Sequence, residues 1–396
     1  MLPIKNWITC IRREIHREPE LSFMEFKTQQ KIMNILQELG IESEKIAGTG
    51  VIATIQGSAP SPCIALRSDM DALEVQEEPT ELNKDYISQN RGIMHACGHD
   101  GHIAIVLGAA RLLQEKRETL AGSVRLIFQP AEEQPPGGAL RVIEEGGLNG
   151  VDAIVGLHVF GDIAAGKIAF TPGRFMASSN LFSIKILGKG GHHSRPWDCI
   201  DPILIASEFI DTINKNVRNR IDSAKYVLGI GKIEGGAQFN RTPDEIYMLG
   251  SYRTFDDHET ITIDDIIKQT LDSLMKKYAK DGYEYIPTYK LDIFHGYPVL
   301  MNDEVFTKAV YDLLKNKFND IDGNAKPIFG AEDFAFYLEK LPGIYLSLGT
   351  ENIQKGIVER NHSNKFDIDE DILITGANIL QTIVLDFLEN TEDYIS

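Results

Sequence analysis

Cysteine is scarce: Cys10, Cys63, Cys97 and Cys199 are the only four in 396 residues, and their spacing is too wide and irregular for a disulfide framework. No apolar run reaches the roughly 18 residues that span a bilayer. The opening MLPIKNWITCIRREIHREPE is charged throughout and lacks the apolar segment of a signal peptide. These absences lead us to expect a reducing cytoplasm. Positive charge is in deficit too, with 40 Lys and Arg against 58 Asp and Glu and a formal charge of -18. That balance disfavours nucleic acid or an anionic membrane as partner, since both need clustered positive charge. No serine-nucleophile motif, Walker loop or GxGxxG after a strand occurs. GKGGHH (Gly188–His193) is glycine-rich but lacks the spaced Lys-Ser/Thr that cradles phosphate. Internal repeats and low-complexity tracts are also missing.

What is present suits a folded chain. Apolar residues make up 43% and charged residues 25%, ordinary globular values. A length of 396 residues favours two domains, because single cores stop growing near roughly 250–300 residues. From Lys5 to Leu39 the apolar spacing is helical, interrupted at Pro19 and closed by Gly40. GVIATIQG and CIALRSD read as strands joined by a Ser/Pro-rich turn, hence a hairpin. A helix is expected over Gly98–Lys116, and another carrying Leu140, Val142 and Ile143 between the strands Val124–Gln129 and Ala153–Val159. Strands alternating with helices predict an α/β sheet covered on both faces. From Ser179 the rhythm changes. The strand LFSIKILG, a helix over Asp201–Asn219, the strands YVLGIGKIEGG and EIYMLGSYRTF, a helix over Glu259–Lys280 and the strand YEYIPTYKLDIF follow in turn. That β-α-β-β-α-β order is the split unit of a ferredoxin-like sandwich. We therefore expect a domain at 179–294 inserted between the halves 1–178 and 295–396 of one α/β domain.

Polar residues cluster just beyond apolar strands in RSDMDAL (Arg67–Leu73), QPAEE (Gln129–Glu133) and GLHV (Gly156–Val159), and again where MHACGHDGH (Met94–His102) opens a helix. Ligands of open α/β sheets bind outside the carboxyl ends of strands. His95, Cys97, His99 and His102 fall within eight residues; thiolate plus imidazole suits zinc or a similar metal. Taken alone, the stretch reads equally as a buried thiol beside surface histidines. Glu132 and Glu133 can divide the work of holding a metal and moving a proton, or simply cap a loop. His158 stands in an apolar strand, where a satisfied core histidine is the commoner meaning. Asp69 and Asp71 can support ligand imidazoles or cap a turn. Together these groups favour a metal hydrolase.

Nearly the whole chain resembles the M20 metallopeptidase and aminoacylase family, in its amidohydrolase branch of hippurate hydrolases, N-acetyl-amino-acid deacetylases and auxin-conjugate hydrolases. The matching motifs, in order, are RSDMDAL, GIMHACGHDGHIA, IFQPAEE with the GGA after it, GLHV, GKGGHHSRP, NRTPD, GSYRTF, AEDF and NHSNKFDI. The resemblance implies a Zn-peptidase-like α/β catalytic domain with an inserted ferredoxin-like α+β dimerisation or lid domain. It implies two divalent metal ions per subunit, Zn or Mn with Co possible, held by Cys97, His99, Glu133, His158 and His362. It makes Glu132 the general acid/base and His192 a histidine reaching a neighbouring subunit's site to steady the oxyanion. Asn240 and Arg253 would hold substrate, Arg253 gripping a carboxylate, while Asp69 and Asp71 support the ligands. The implied reaction is hydrolysis of N-acyl amino acids by a homodimer or higher homo-oligomer. A carboxypeptidase or dipeptidase acting on short peptides shares the same chemistry. A non-catalytic binding protein would have no use for the proton shuttle Glu132. Trp197, Arg241 and Asn364 depart from the family's usual residues at positions bearing on substrate choice.

Overall fold

The computed structural model describes residues 2–279 and 285–395. In chain order the first part contains α1 (Ile4–His16), α2 (Phe26–Glu38), β1 (Ser43–Ile46), β2 (Gly50–Gln56), β3 (Cys63–Asp69), α3 (His99–Gln114), β4 (Ser123–Gln129), α4 (Ala139–Glu144), β5 (Ala153–Ala164), β6 (Ile168–Ala169) and β7 (Gly173–Met176). Next come β8 (Asn180–Leu187), β9 (Gly191–His192), α5 (Pro202–Arg218), β10 (Tyr226–Glu234), β11 (Arg241–Thr242), β12 (Glu245–Thr254), α6 (Asp257–Tyr278) and β13 (Thr288–His295). The chain closes with β14 (Leu300–Asn302), α7 (Glu304–Leu314), β15 (Ile321–Asp322), α8 (Ala335–Leu338), β16 (Gly343–Glu351) and α9 (Asp371–Glu389). Two compact units result, one of Met1–Phe175, Leu300–Pro327 and Glu332–Ser396, the other of Met176–Val299 with Ile328–Ala331. The short segment Ile328–Ala331 was not part of the insertion expected from sequence.

The larger unit is an eight-stranded sheet in the order β1-β2-β4-β3-β5-β16-β6-β15. Its centre is parallel, with β3 between β4 and β5 and β16 beyond β5. Every residue of β3 is buried, as a strand covered on both faces must be. That corrects the hairpin expected between β2 and β3: β2 runs antiparallel to β1 and β4 instead, and β4 separates it from β3. Continuous burial of β3, with no polar alternation, suits a central parallel strand rather than one arm of a hairpin. Helices α1, α3 and α9 pack together, burying Ile8, Ile11 and Ile15 with Ile103, Leu107, Ile379 and Ile383. α9 is long and apolar enough to cross a membrane by length and composition alone, yet Ile383, Val384 and Phe387 lie in the main core. α2 stops where Gly40 takes φ +71°; Ile41 N–H then bonds Leu36 O and Gly40 N–H bonds Gln37 O, a Schellman ending.

The second unit holds a four-stranded antiparallel sheet, β10-β12-β8-β13, with α5 and α6 on one face. Alternate residues Phe182, Ile184 and Ile186 of β8 and Ile246, Met248 and Tyr252 of β12 meet Phe209, Ile213, Ile263 and Leu271 of the helices. Asp201 and Asp256 cap the two helices through bonds from Ile203 N–H and His258 N–H, as side-chain acceptors do at this position. The β-α-β-β-α-β order is that of a ferredoxin-like sandwich. The helix end expected at Lys280 and the strand start expected at Tyr283 lie outside the described residues.

Candidate metal centre

The expected ligands reach one place along several routes. Asp69 ends β3, and Glu132 and Glu133 follow the end of β4. His158 lies inside β5 rather than beyond its end, because β16 continues to pair there, Ser347 standing opposite His158. It is still past Gly156, where pairing with β3 stops. Cys97 precedes α3 and His99 opens it. Between them Gly98 takes φ +89°, and an added Cβ would sit 2.5 Å from Val159 Cγ2. His362, in the turn after β16, is held by its N–H to Ala96 O at 2.7 Å and has φ +70°.

Cys97 Sγ lies 3.4 Å from His158 Nε2. Glu133 Oε1 lies 3.5 Å from His362 Nε2 and 3.9 Å from His99 Nε2. Two trios of donor atoms, Cys97/His99/His158 and Cys97/Glu133/His362, each fall within 4.8 Å and share the thiol. All five side chains singled out as ligands are therefore neighbours. Cys97, His99 and His158 are buried, and His362 is exposed at the rim.

Asp71 organises the carboxylate pair. Its Oδ1 accepts Glu132 N–H and its Oδ2 accepts Glu133 N–H, both at 3.0 Å, while Ser22 Oγ donates to Oδ2 at 2.6 Å. Asp71 Oδ1 also stands 3.4 Å from His99 Nδ1. Ala131, just before the pair, has φ +55°, and its N–H is held by Glu25 Oε1 at 2.9 Å. Such left-handed non-glycine residues persist only where surroundings enforce them. Asp69 accepts from His102 Nδ1 at 2.7 Å, and His102 Nε2 accepts Val159 N–H at 2.9 Å. In sequence His102 belongs to the His/Cys cluster without a role of its own, and its spacing of three from His99 was the available signal; in the structure the two rings stack.

The electrostatics call for positive charge. Burial, Glu332, Glu133, Asp333 and Asp71 hold the Glu132 carboxyl well above the usual carboxylate range. Burial with Glu133, Glu132 and Asp69 likewise drives the Cys97 thiol up. Against burial, the charges of Asp69, Asp71 and Glu133 raise His99 to about 10. Opposing burial again, His102, His99 and Arg67 keep Asp69 well below its ordinary value. Arg67 is itself buried and pairs with Asp69, Glu332 and Asp333 at 2.8, 3.0 and 2.8 Å. Gln129 Nε2 donates to both oxygens of Asp333. The AEDF motif thus supplies Glu332 and Asp333 to this acidic surround, a part no local pattern disclosed.

The second unit carries His192, expected to steady the oxyanion, and the two expected substrate residues Asn240 and Arg253. His192 and Arg241 are paired across the β9–β11 ribbon, and His193 N–H bonds Asn240 O at 3.1 Å. His192 and Asn240 are both exposed. Ser194 N–H donates to His192 Nδ1 at 3.1 Å, which in the neutral ring leaves the proton on Nε2. Arg253, in β12, donates from Nη1 to Phe329 O at 2.6 Å.

His99 Nε2 and Glu133 Oε1 are buried without a hydrogen-bond partner, an arrangement costly unless something else satisfies them. A divalent cation fits: the set offers thiolate, imidazole and carboxylate donors, and its charge would relieve the repulsion that raises Cys97 and Glu132. Residues 65–386 match the model of the peptidase family M20/M25/M40. The chain is 40% identical over 396 residues to N-acetyl-L-cysteine deacetylase of Bacillus subtilis, covering 98% of this chain and 90% of that one. It is 39% identical over 378 residues to thermostable carboxypeptidase 2 of Saccharolobus solfataricus, covering 94% and 93%. A Bacillus subtilis crystal structure described as a dinuclear metal binding peptidase from the M20 family superposes with a TM-score of 0.82 at 34% identity, covering 98% and 99%. With the motifs in order, the donor cluster in place and the likeness spanning almost its full length, the chain belongs to peptidase family M20/M25/M40 as a metal-dependent hydrolase.

Proposed function

We propose that the protein hydrolyses the amide bond of N-acyl amino acids, of N-acetyl or N-benzoyl type, releasing a carboxylate and the free amino acid. The observation that carries this reading is the buried carboxyl of Glu132 set beside the five-donor cluster. Cys97, His99 and His158 would hold one divalent ion and Cys97, Glu133 and His362 the other, as Zn or Mn, with Co as a substitute. Bound there, the ions supply Lewis acidity that polarises an amide carbonyl and makes water more acidic. Glu132 accepts the proton of the attacking water on its carboxylate. Surroundings that raise its affinity for a proton suit it to hold that proton and pass it to the departing amine nitrogen. His192 Nε2–H donates to the developing oxyanion, a contact of a kind worth about 2.7–4 kcal/mol. Arg253 presents a planar fork to the substrate carboxylate, and Asn240 adds a polar contact. We assign the work to a homodimer in the cytoplasm, where Cys97 and the other three thiols, none of them in a disulfide among the described residues, stay reduced.

The 40% identity to a deacetylase supports acyl amino acids as substrates. The 39% identity to a carboxypeptidase keeps short peptides as the second reading. Comparing N-acetyl amino acids, N-benzoyl amino acids and dipeptides with zinc-loaded and manganese-loaded protein separates them. The proposal expects kcat/KM at least about tenfold higher for an acyl amino acid, a difference of about 1.4 kcal/mol in transition-state binding; dipeptides ahead by that margin would establish the second reading. In the same assay, mixing His192→Ala with Glu132→Gln protein should restore activity if the histidine serves a partner subunit. A mixture as inactive as its components would place that histidine elsewhere.

A further inference from the structure

We infer that Asn361 is the positioning residue that fastens the ligand-bearing segments to one another, an inference that rests on Cys97, His158 and His362 being metal ligands. Its Nδ2 donates to Cys97 O and to Val159 O, both at 3.0 Å. Its Oδ1 accepts Gly161 N–H at 3.0 Å. Only one orientation of the amide satisfies these partners, because two carbonyls require donors and the peptide N–H requires an acceptor. Val159 O also accepts His158 Nδ1 at 2.8 Å. That bond puts the imidazole proton on Nδ1 and leaves the lone pair of Nε2 facing Cys97 Sγ, 3.4 Å away.

The neighbouring residue completes the clamp. His362 N–H bonds Ala96 O at 2.7 Å while its backbone holds φ +70°, a conformation that must be imposed from outside on a residue with a side chain. Two successive residues, Asn361 and His362, thus grip the Cys97 loop at Ala96 O and Cys97 O, and the His158 strand at Val159 O and Gly161 N. These segments are far apart in sequence, and ligands must be held within about 0.5 Å of their working geometry. Every side-chain bond of Asn361 ends on a ligand residue or within three residues of one.

Asn302 provides an internal control. It makes the same pattern of bonds in the same unit, donating to Thr171 O at 3.0 Å and Tyr345 O at 3.2 Å and accepting Tyr345 N–H at 2.7 Å, but it touches none of the ligand segments. Asn361→Asp removes two donors and sets a negative charge against two carbonyl oxygens; Asn302→Asp does the same elsewhere. Cobalt binding to the full-length wild type comes first. If its near-ultraviolet spectrum lacks a thiolate-to-cobalt band, the ligand assignment itself fails, before any variant is compared. With the band present, Asn361→Asp should weaken cobalt and zinc binding about 10–100-fold and shift or bleach the band. Asn302→Asp should lower Tm yet keep wild-type affinity and spectrum. Wild-type affinity and spectrum in Asn361→Asp, or an equal loss of affinity in Asn302→Asp, would overturn the inference. Asn361→Ser, which adds no charge, serves the same comparison should the aspartate variant not fold.

Discussion

At the scale of single residues, the centre depends on a backbone that turns where few residues can. Gly98 holds φ +89° between Cys97 and His99, with Val159 Cγ2 occupying the space a Cβ would need. Gly98→Ala meets both obstacles. The left-handed conformation alone costs an L-residue about 1–2 kcal/mol, and relief of the clash must move Cys97 or His99. We expect a lower Tm and a roughly 10–100-fold loss of metal affinity, read by calorimetric titration with zinc; unchanged affinity and Tm would show that this turn does not set the ligands. Of the donors, Cys97, His99 and Glu133 stood out in sequence because metal-binding residue types crowd into MHACGHDGH and QPAEE; His158 and His362 joined them only through the resemblance to the M20 family. Their supports were not legible. Asn361 bonds a carbonyl 264 residues away, and Arg67 pairs with Asp333 across 266. Such partners are chosen by the fold, and neither residue type nor local spacing announces them.

At the scale of elements, α1 does more than pack its apolar face on α3 and α9. Its apolar residues Ile8, Ile11 and Ile15 were readable, but Arg12 and His16 on the same helix are also buried. Arg12 pairs with Asp100 of α3 at 2.6 Å and with Asp367 at 2.9 Å. His16 bridges two carboxylates, Asp100 at 2.8 Å and Glu77 at 3.0 Å, with the Tyr86 ring edge-on and His95 nearby. Burial and the Arg12 guanidinium oppose a charge on His16, yet the carboxylates push it up to about 9. A raised folded-state value means stability that is fully present below the ordinary histidine range near 6.5 and is lost as pH rises through about 9. The Tm advantage of wild type over His16→Gln should therefore shrink between pH 7 and 10; a constant gap would mean that His16 is not charged. Strand pairing was the element-level failure. β2 and β3 have hairpin-like spacing in sequence, and only the continuous burial of β3 reveals a central strand.

At the scale of the whole molecule, the division into an α/β unit and a ferredoxin-like insertion was readable from the change in strand and helix rhythm, since each rhythm encodes a different layering. Ile328–Ala331 joins the second unit through backbone bonds such as Ala177 N–H to Ile328 O, which no periodicity records. The formal charge of -18 has a local counterpart: Asp69, Glu332 and Asp333 crowd round one Arg67, and Glu132 stands beside Glu332 and Asp333. Two dications would bring the positive charge this region lacks. The central claim is that five side chains spread from Cys97 to His362 hold two ions beside Glu132. The most direct measurement is an anomalous-difference map at the zinc edge from crystals grown with zinc. We predict two peaks about 3.5–4 Å apart, each about 2.0–2.3 Å from its own trio of donors with Cys97 Sγ common to both. No peak among these side chains, or a single one bound elsewhere, would contradict the account.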